Sequence, residues 1–149
     1  MNPFLADANT RIAEWRKLRD SIAASPLEEQ LKQIAKWWAQ CPIENWVIDS
    51  ENTNDWPKPW ELLNDNHYCN TAIAYLMAQT LALVHQDPPP FSIRLCYIQT
   101  DSDQWMCLVV DNKWLLNYSH GEVVNVVPLQ KEFTVKYAYE YVDERFIPA

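Results

Sequence analysis

The sequence predicts an α+β fold in which helices come first and an antiparallel sheet follows. Apolar residues recur at helical spacing through much of residues 10 to 84, whereas the rest of the chain alternates β-rich runs with short polar turns. Helices followed by a series of neighbouring strands are typical of α+β proteins. The length of 149 residues and the 48% hydrophobic content favour one domain, residues 1–149, with one core.

We expect residues 1–41 to form a helical hairpin. The first helix is predicted between residues 10 and 24, where apolar side chains fall on one face. Ser25-Pro26-Leu27-Glu28 is a helix-start signal, with serine as the cap, proline in the first turn and glutamate closing a capping box. Cys41-Pro42 ends the second helix.

Residues 42–66 are predicted to form a loop braced by prolines, with a short strand at Trp46-Val47-Ile48. The eight tryptophans of the chain exceed what one small core easily hides. Because tryptophan is favoured as an anchor at interfaces, we expect some tryptophans to face a partner or substrate. The candidates are Trp37, Trp38, Trp56 and Trp60.

A central helix is predicted from about His67 to Val84, with Asp65 or Asn66 near its cap. Alanines occupy most positions that bulky residues leave free, which predicts burial on nearly all sides. Residues 67–149 thus combine this helix with a meander of four to five strands. Apolar side chains occur at both odd and even positions along the strands, so both faces of the sheet are expected to be covered. We expect the central helix to cover one face and the N-terminal hairpin or another subunit to cover the other.

The sequence predicts the register of the hairpin that turns at Asp111-Asn112, before Gly121. If Asp111-Asn112 is a two-residue turn, Trp105 lies opposite Tyr118 and Asp103 lies opposite His120. Gly121, the single glycine of the chain, follows at a strand turn where positive φ is expected.

Several function classes are excluded by composition. A P-loop, a dinucleotide-binding turn and a nucleophile elbow each need at least two glycines, and this chain has one. A net charge of −8 without a basic run argues against nucleic acid or a membrane surface as a partner. The N-terminus lacks the pattern of a signal peptide, so we expect a cytoplasmic protein.

The four cysteines, Cys41, Cys69, Cys96 and Cys107, form no C-x-x-C motif and lie in apolar contexts typical of reduced thiols. Cys96 and Cys107 would face each other across a symmetric turn at residues 100–103. Their spacing does not fit known zinc modules, and small hydrophobes of the core are the better interpretation. We therefore expect no metal and no cofactor.

Cys69 is the first candidate for chemistry because the start of a buried helix favours a thiolate. The segment His67 to Ala74 resembles the nucleophile helix start of transglutaminase-like cysteine peptidases of the papain superfamily. Ile93 to Ile98, Trp105 to Asp111 and Trp114 to Asn117 resemble the strands that follow in that family. The resemblance covers roughly residues 60 to 127 and implies a transglutaminase-like core.

The resemblance also implies that the residues for proton transfer are missing. Trp105 stands at the position of the family's catalytic histidine and Asn117 at that of its aspartate, which leaves Cys69 without a base or its orienting group. An Asp103–His120 pair is the alternative base for Cys69. His67 lies nearer in sequence but is interpreted as a capping or hydrogen-bonding residue.

We therefore expect a non-catalytic module for protein–protein interaction or assembly, with a protein partner or a homo-oligomer. A phage-encoded structural or assembly protein, in the virion or the host cytoplasm, is the most specific form of that hypothesis. The alternative is a cysteine-dependent peptidase or amidase that uses Cys69 with His120 and Asp103. A third hypothesis is binding of a small ligand by Trp56, Trp60 and Trp105.

Overall fold

A computed structural model describes all residues, Met1–Ala149, and the predicted α+β fold is confirmed. The sheet has six antiparallel strands in the order β4-β3-β2-β1-β5-β6, rather than four to five. The four helices are α1 Ala8–Ile22, α2 Leu27–Trp38, α3 Pro59–Asp65 and α4 Asn70–Val84. The strands are β1 Ile93–Gln99, β2 Gln104–Val110, β3 Trp114–Leu116, β4 Val123–Asn125, β5 Thr134–Val142 and β6 Arg145–Pro148.

The predicted helical hairpin forms, with differences at the helix ends. Asp7 caps α1 by accepting a hydrogen bond from Thr10 N at 2.8 Å. The predicted capping box of α2 is wrong, because Pro26 is the N-cap and provides no side-chain hydrogen bond. The predicted strand at residues 46–48 is also wrong, since this stretch is an irregular bend.

Helix α4 lies between the sheet and the other helices, in contact with β1 and β2 on one side and with α1, α2 and α3 on the other. Of the four alanines that predicted its burial, Ala72, Ala74 and Ala78 are completely buried, whereas Ala82, near the end of the helix, is partly buried. Small side chains let neighbouring elements approach closely. A core of 30 buried residues joins the helices to the near face of the sheet. None of the helices has both the length and the hydropathy that a membrane span requires.

The far face of the sheet is covered, but not by the predicted element. The N-terminal hairpin packs behind α4, so it cannot reach the far face. Instead the chain after β4 folds back, and Val126 packs with Cys96, Ile98, Cys107 and Leu115 in a second buried cluster. Segment 126–133 thus encloses a small apolar layer on this side.

The predicted register between β2 and β3 is wrong by one residue. Asp111 and Asn112 adopt the positive φ of a two-residue turn, and Lys113 N donates to Val110 O at 3.1 Å. Lys113 is then an extra residue, because Val110 pairs with Trp114 rather than with Lys113. Trp105 therefore does not pair with Tyr118, and Asp103 does not pair with His120, since β3 ends at Leu116. Gly121 has the expected positive φ of 71°.

The tryptophans predicted for an interface have different environments. Trp38 is only 1% exposed and lies in the core, where α1, α2 and α4 meet. Trp37 packs on Phe4 with ring centroids 5.2 Å apart, and Trp56 packs on Tyr75 at 5.1 Å. Trp60 is 54% exposed at the start of α3. Of the four, only Trp60 offers most of its ring to a partner.

Candidate functional site

Cys69 is the N-cap residue of α4, because the helix begins at Asn70 rather than at His67. Asp65 and Asn66, the residues predicted to cap α4, belong to α3 instead. Asp65 is the last residue of α3, and Asn66 ends that helix in a left-handed conformation with φ 58°. The Cys69 side chain is buried, and its Sγ lies 3.9 Å from the backbone oxygen of Ile48. The thiol therefore sits at the positive end of α4 with a carbonyl as its one hydrogen-bond partner.

Two adjoining cavities lie beside the start of α4, and we call them together the α4 cleft. The smaller, of about 140 Å³, is lined by Cys69 and residues of β1, β2 and the loop before α3. The larger, of about 420 Å³, extends toward residues 117–122 and the end of α2. Four residues line both cavities: Asn45, Asn70, Gln104 and Trp105.

The alternation of β2 places Gln104, not the Trp105 ring, on the sheet face that α4 covers. Met106 belongs to the main core beneath α4, so Gln104, two residues earlier, shares its face. The Trp105 ring packs with the second cluster and lies 5.7 Å from the Tyr118 ring. Of the two β2 residues that line the smaller cavity with Cys69, the one whose side chain lies on this face is therefore Gln104, an exposed amide.

Asn117 connects the end of β3 to the start of α4. Its φ of 63° is left-handed, and its Nδ2 donates to Asn70 Oδ1 at 3.1 Å, Asn70 O at 3.3 Å and Met106 O at 2.9 Å. Asn117 O also accepts a hydrogen bond from Trp105 Nε1 at 2.8 Å. Since three oxygens surround Nδ2, this position requires a donor, which an ionised carboxylate is not.

Replacing Asn117 with aspartate is therefore expected to lower the free energy of unfolding by about 2–3 kcal/mol at neutral pH, because a carboxylate would face acceptors without hydrogen bonds. Urea denaturation measures the change. Asn125→Asp is the matched control, since Asn125 uses its Oδ1 to accept from Val127 N and a carboxylate can do the same. A loss as large in the control would contradict the proposed donor role.

His120 and Asp103 both line the larger cavity but are not joined to each other or to Cys69 by a hydrogen bond. Asp103 Oδ1 accepts instead from Gln104 N at 2.8 Å. His67 pairs with Glu44 at 2.8 Å on the surface, as its interpretation as a hydrogen-bonding residue predicted. The structure thus brings Asp103 and His120 into one cavity without forming a triad.

The other three cysteines are core residues. Cys96 lies opposite Cys107 in the β1–β2 ladder, as the symmetric turn predicted. Burial raises the pKa of the Cys41, Cys96 and Cys107 thiols, so these groups stay protonated at neutral pH.

The mouth of the cleft carries two exposed apolar side chains that sequence reasoning did not select. Trp46 is 73% exposed beside the smaller cavity, and Ile43 is 60% exposed beside the larger one. Composition could not distinguish Trp46 from seven other tryptophans. Trp56 and Trp60 line neither cavity, so they do not share a ligand site with Trp105 there.

Comparison with solved structures identifies the fold. The chain is similar to Legionella pneumophila LapG in its calcium-bound form, with a TM-score of 0.71 and 16% identity over 95% of this chain and 83% of that chain. A second LapG structure matches with a TM-score of 0.70 and 18% identity over 94% and 80% of the two chains. The predicted transglutaminase-like core is thereby confirmed. No protein-family model matches the chain, and no curated protein matches it in sequence.

The bound calcium is a feature of that LapG structure. In this chain no three His, Cys, Asp or Glu side chains are close enough together to hold a metal ion. The side chain that follows Cys69 is the neutral amide of Asn70, which is engaged by Asn117.

Proposed function

We propose that the chain is a non-catalytic module that holds an extended peptide segment of a partner protein in the α4 cleft. The observation that carries this proposal is the set of side chains around Cys69. The ten residues that line its cavity include no histidine, aspartate or glutamate, and the amides of Asn45, Asn70 and Gln104 do not accept a proton at neutral pH. A cysteine nucleophile needs a base within hydrogen-bond reach, so the cleft is suited to binding rather than to cleavage.

The cleft matches the chemistry of a peptide backbone. The amides of Asn45 and Gln104 each offer a donor and an acceptor, and Asn70, whose Oδ1 already accepts from Asn117, offers its donor. These are the groups that the N–H and C=O of an extended peptide require. Exposed Trp46 and Ile43 stand at the mouth, where they can bury an apolar side chain of the partner. The larger cavity, of about 420 Å³, leaves room for side chains of the bound segment.

A cysteine peptidase or amidase is the second candidate, and two observations favour it. His120 and Asp103 line the same cleft, next to the cavity of Cys69. LapG, to which the fold is similar, is a transglutaminase-like cysteine protease. This candidate requires His120 to approach Cys69 to about 3 Å in the substrate complex.

The two candidates are separated by selecting binders from a random peptide library and analysing them by mass spectrometry. We expect the selected peptides to remain intact with the wild-type chain and to bind Cys69→Ala equally well. Trp46→Ala should weaken binding by about tenfold, the effect of truncating an interface anchor. Trp60→Ala is the matched control, because Trp60 is exposed outside the cleft and should leave binding unchanged.

Two results would overturn the binding proposal. Peptide cleavage that both Cys69→Ala and His120→Ala abolish would establish the peptidase instead. Equal losses from Trp46→Ala and Trp60→Ala would place the peptide outside the cleft. A phage origin, assembly into homo-oligomers and a cytoplasmic location stay predictions.

A further inference from the structure

A separate cavity of about 350 Å³ lies on the far face of the sheet, away from α4. Seven of its ten lining residues are apolar, among them Ile98, Leu115 and Phe133. Segment 126–133 forms its cover. The volume falls in the range of about 300–1,000 Å³ that is typical of small-molecule sites, and apolar walls of this kind favour a ligand with a hydrocarbon part.

Arg94 is the charged residue among those that line this cavity. Its Nε is buried and has no hydrogen-bond partner. Glu140 stands opposite Arg94 in the β1–β5 ladder, but no ion pair joins the two side chains. A cationic N–H without an acceptor in apolar surroundings is unfavourable, so an acceptor from outside the chain would stabilise Arg94 here.

We propose that the cavity binds a small aliphatic carboxylate, with its headgroup on Arg94 and its hydrocarbon chain among Ile98, Leu115 and Phe133. The planar guanidinium matches the two oxygens of a carboxylate. The amides of Asn112 and Gln130, which also line the cavity, can donate to the same headgroup. Because the cavity and the α4 cleft lie on opposite faces of the sheet, this site is independent of the proposed peptide binding.

Calorimetric titration of the full chain with hexanoate, octanoate and decanoate tests the proposal. We expect binding to tighten about fourfold for each added methylene until the cavity is filled. Octanamide and octanol should bind at least about tenfold more weakly than octanoate, because they lack the charge that pairs with the guanidinium. Equal affinity for octanoate and octanol, or no saturable binding of any carboxylate, would overturn the proposal.

Arg94→Met retains most of the apolar stem of the side chain and removes the charge. It should weaken octanoate binding by about tenfold or more, whereas Arg145→Met, which changes an exposed side chain of β6, should have no effect. Val135→Trp is a second variant that retains Arg94. Val135 lines the cavity and is 51% exposed, so a bulky ring there should block entry. Unchanged octanoate affinity in either cavity variant would contradict the site.

Discussion

Replacing Thr80 with valine is expected to lower the free energy of unfolding by about 2–5 kcal/mol, because two buried indole N–H groups would lose their acceptor. Thr80 Oγ1 accepts from Trp15 Nε1 at 2.9 Å and from Trp38 Nε1 at 3.2 Å, and donates to Leu76 O. Valine has nearly the same shape but cannot accept a hydrogen bond. Urea denaturation followed by tryptophan fluorescence measures the loss.

Two controls separate the hydroxyl from packing. Thr80→Ser retains the hydroxyl and removes one methyl group, so it should cost only about 1 kcal/mol. Thr134→Val, on the exposed start of β5, should change stability by less than about 0.5 kcal/mol. Through these hydrogen bonds Thr80 joins α4 to Trp15 of α1 and Trp38 of α2, which we call the junction at Thr80. If Thr80→Val were no more destabilising than Thr80→Ser, this junction would not depend on the hydroxyl oxygen.

The helices were predictable because their signals are local. The spacing of apolar residues and the alanines of α4 reflect burial along one helix, and the structure buries three of its four alanines completely. The junction at Thr80 was not predictable in this way. Its partners lie 65 and 42 residues away in sequence, and only the packing of α1, α2 and α4 brings them together. Thr80 is one of two threonines in α4, and its position in the sequence gives no sign of that role.

The sheet was predictable in outline but not in register. Lys113, an extra residue after a correctly predicted turn, shifts the pairing of β2 and β3 by one. A one-residue shift exchanges the two faces of a strand, which changes the partners expected for Trp105 and Asp103. Strand β6 was not predicted, because the turn that leads into it contains no glycine. Asp143 and Glu144 adopt the positive φ values of this turn instead.

The position of Cys69 near a helix start was predictable, but the groups around it were not. The resemblance placed Trp105 at the histidine position, whereas β2 directs Gln104 toward the cavity of Cys69. Asn117 does lie beside the start of α4, and its amide connects β3, β2 and α4 as a donor. Both results depend on strand alternation and on backbone geometry after β3, which sequence spacing does not determine.

Replacing Gln104 with histidine is expected to raise the rate of Cys69 alkylation near pH 6 on the order of tenfold. An ordinary thiol is less than about 1% thiolate at this pH. Histidine on the face of β2 that α4 covers would put an imidazolium in the small cavity beside Cys69, where it and the helix N-terminus both favour the thiolate. A more acidic thiol is a weaker nucleophile, which limits the gain.

Labelling with iodoacetamide, followed by mass spectrometry of each cysteine, measures this rate. Interference from the other thiols is small, because burial raises the pKa of Cys41, Cys96 and Cys107. Gln99→His is the matched control. Gln99 pairs with Gln104 across the β1–β2 ladder, but Gln104 alone of the two lines the cavity of Cys69. The control should therefore leave the Cys69 rate unchanged.

The comparison also tests why the wild-type site would be inert. If Gln104→His alone accelerates alkylation of Cys69, the amide at this position is what deprives the thiol of a base. Equal acceleration by Gln99→His would mean that any added imidazole near the cleft suffices. A fast wild-type reaction that His120→Ala abolishes would show that His120 already serves Cys69, and the peptidase candidate would then replace the binding module.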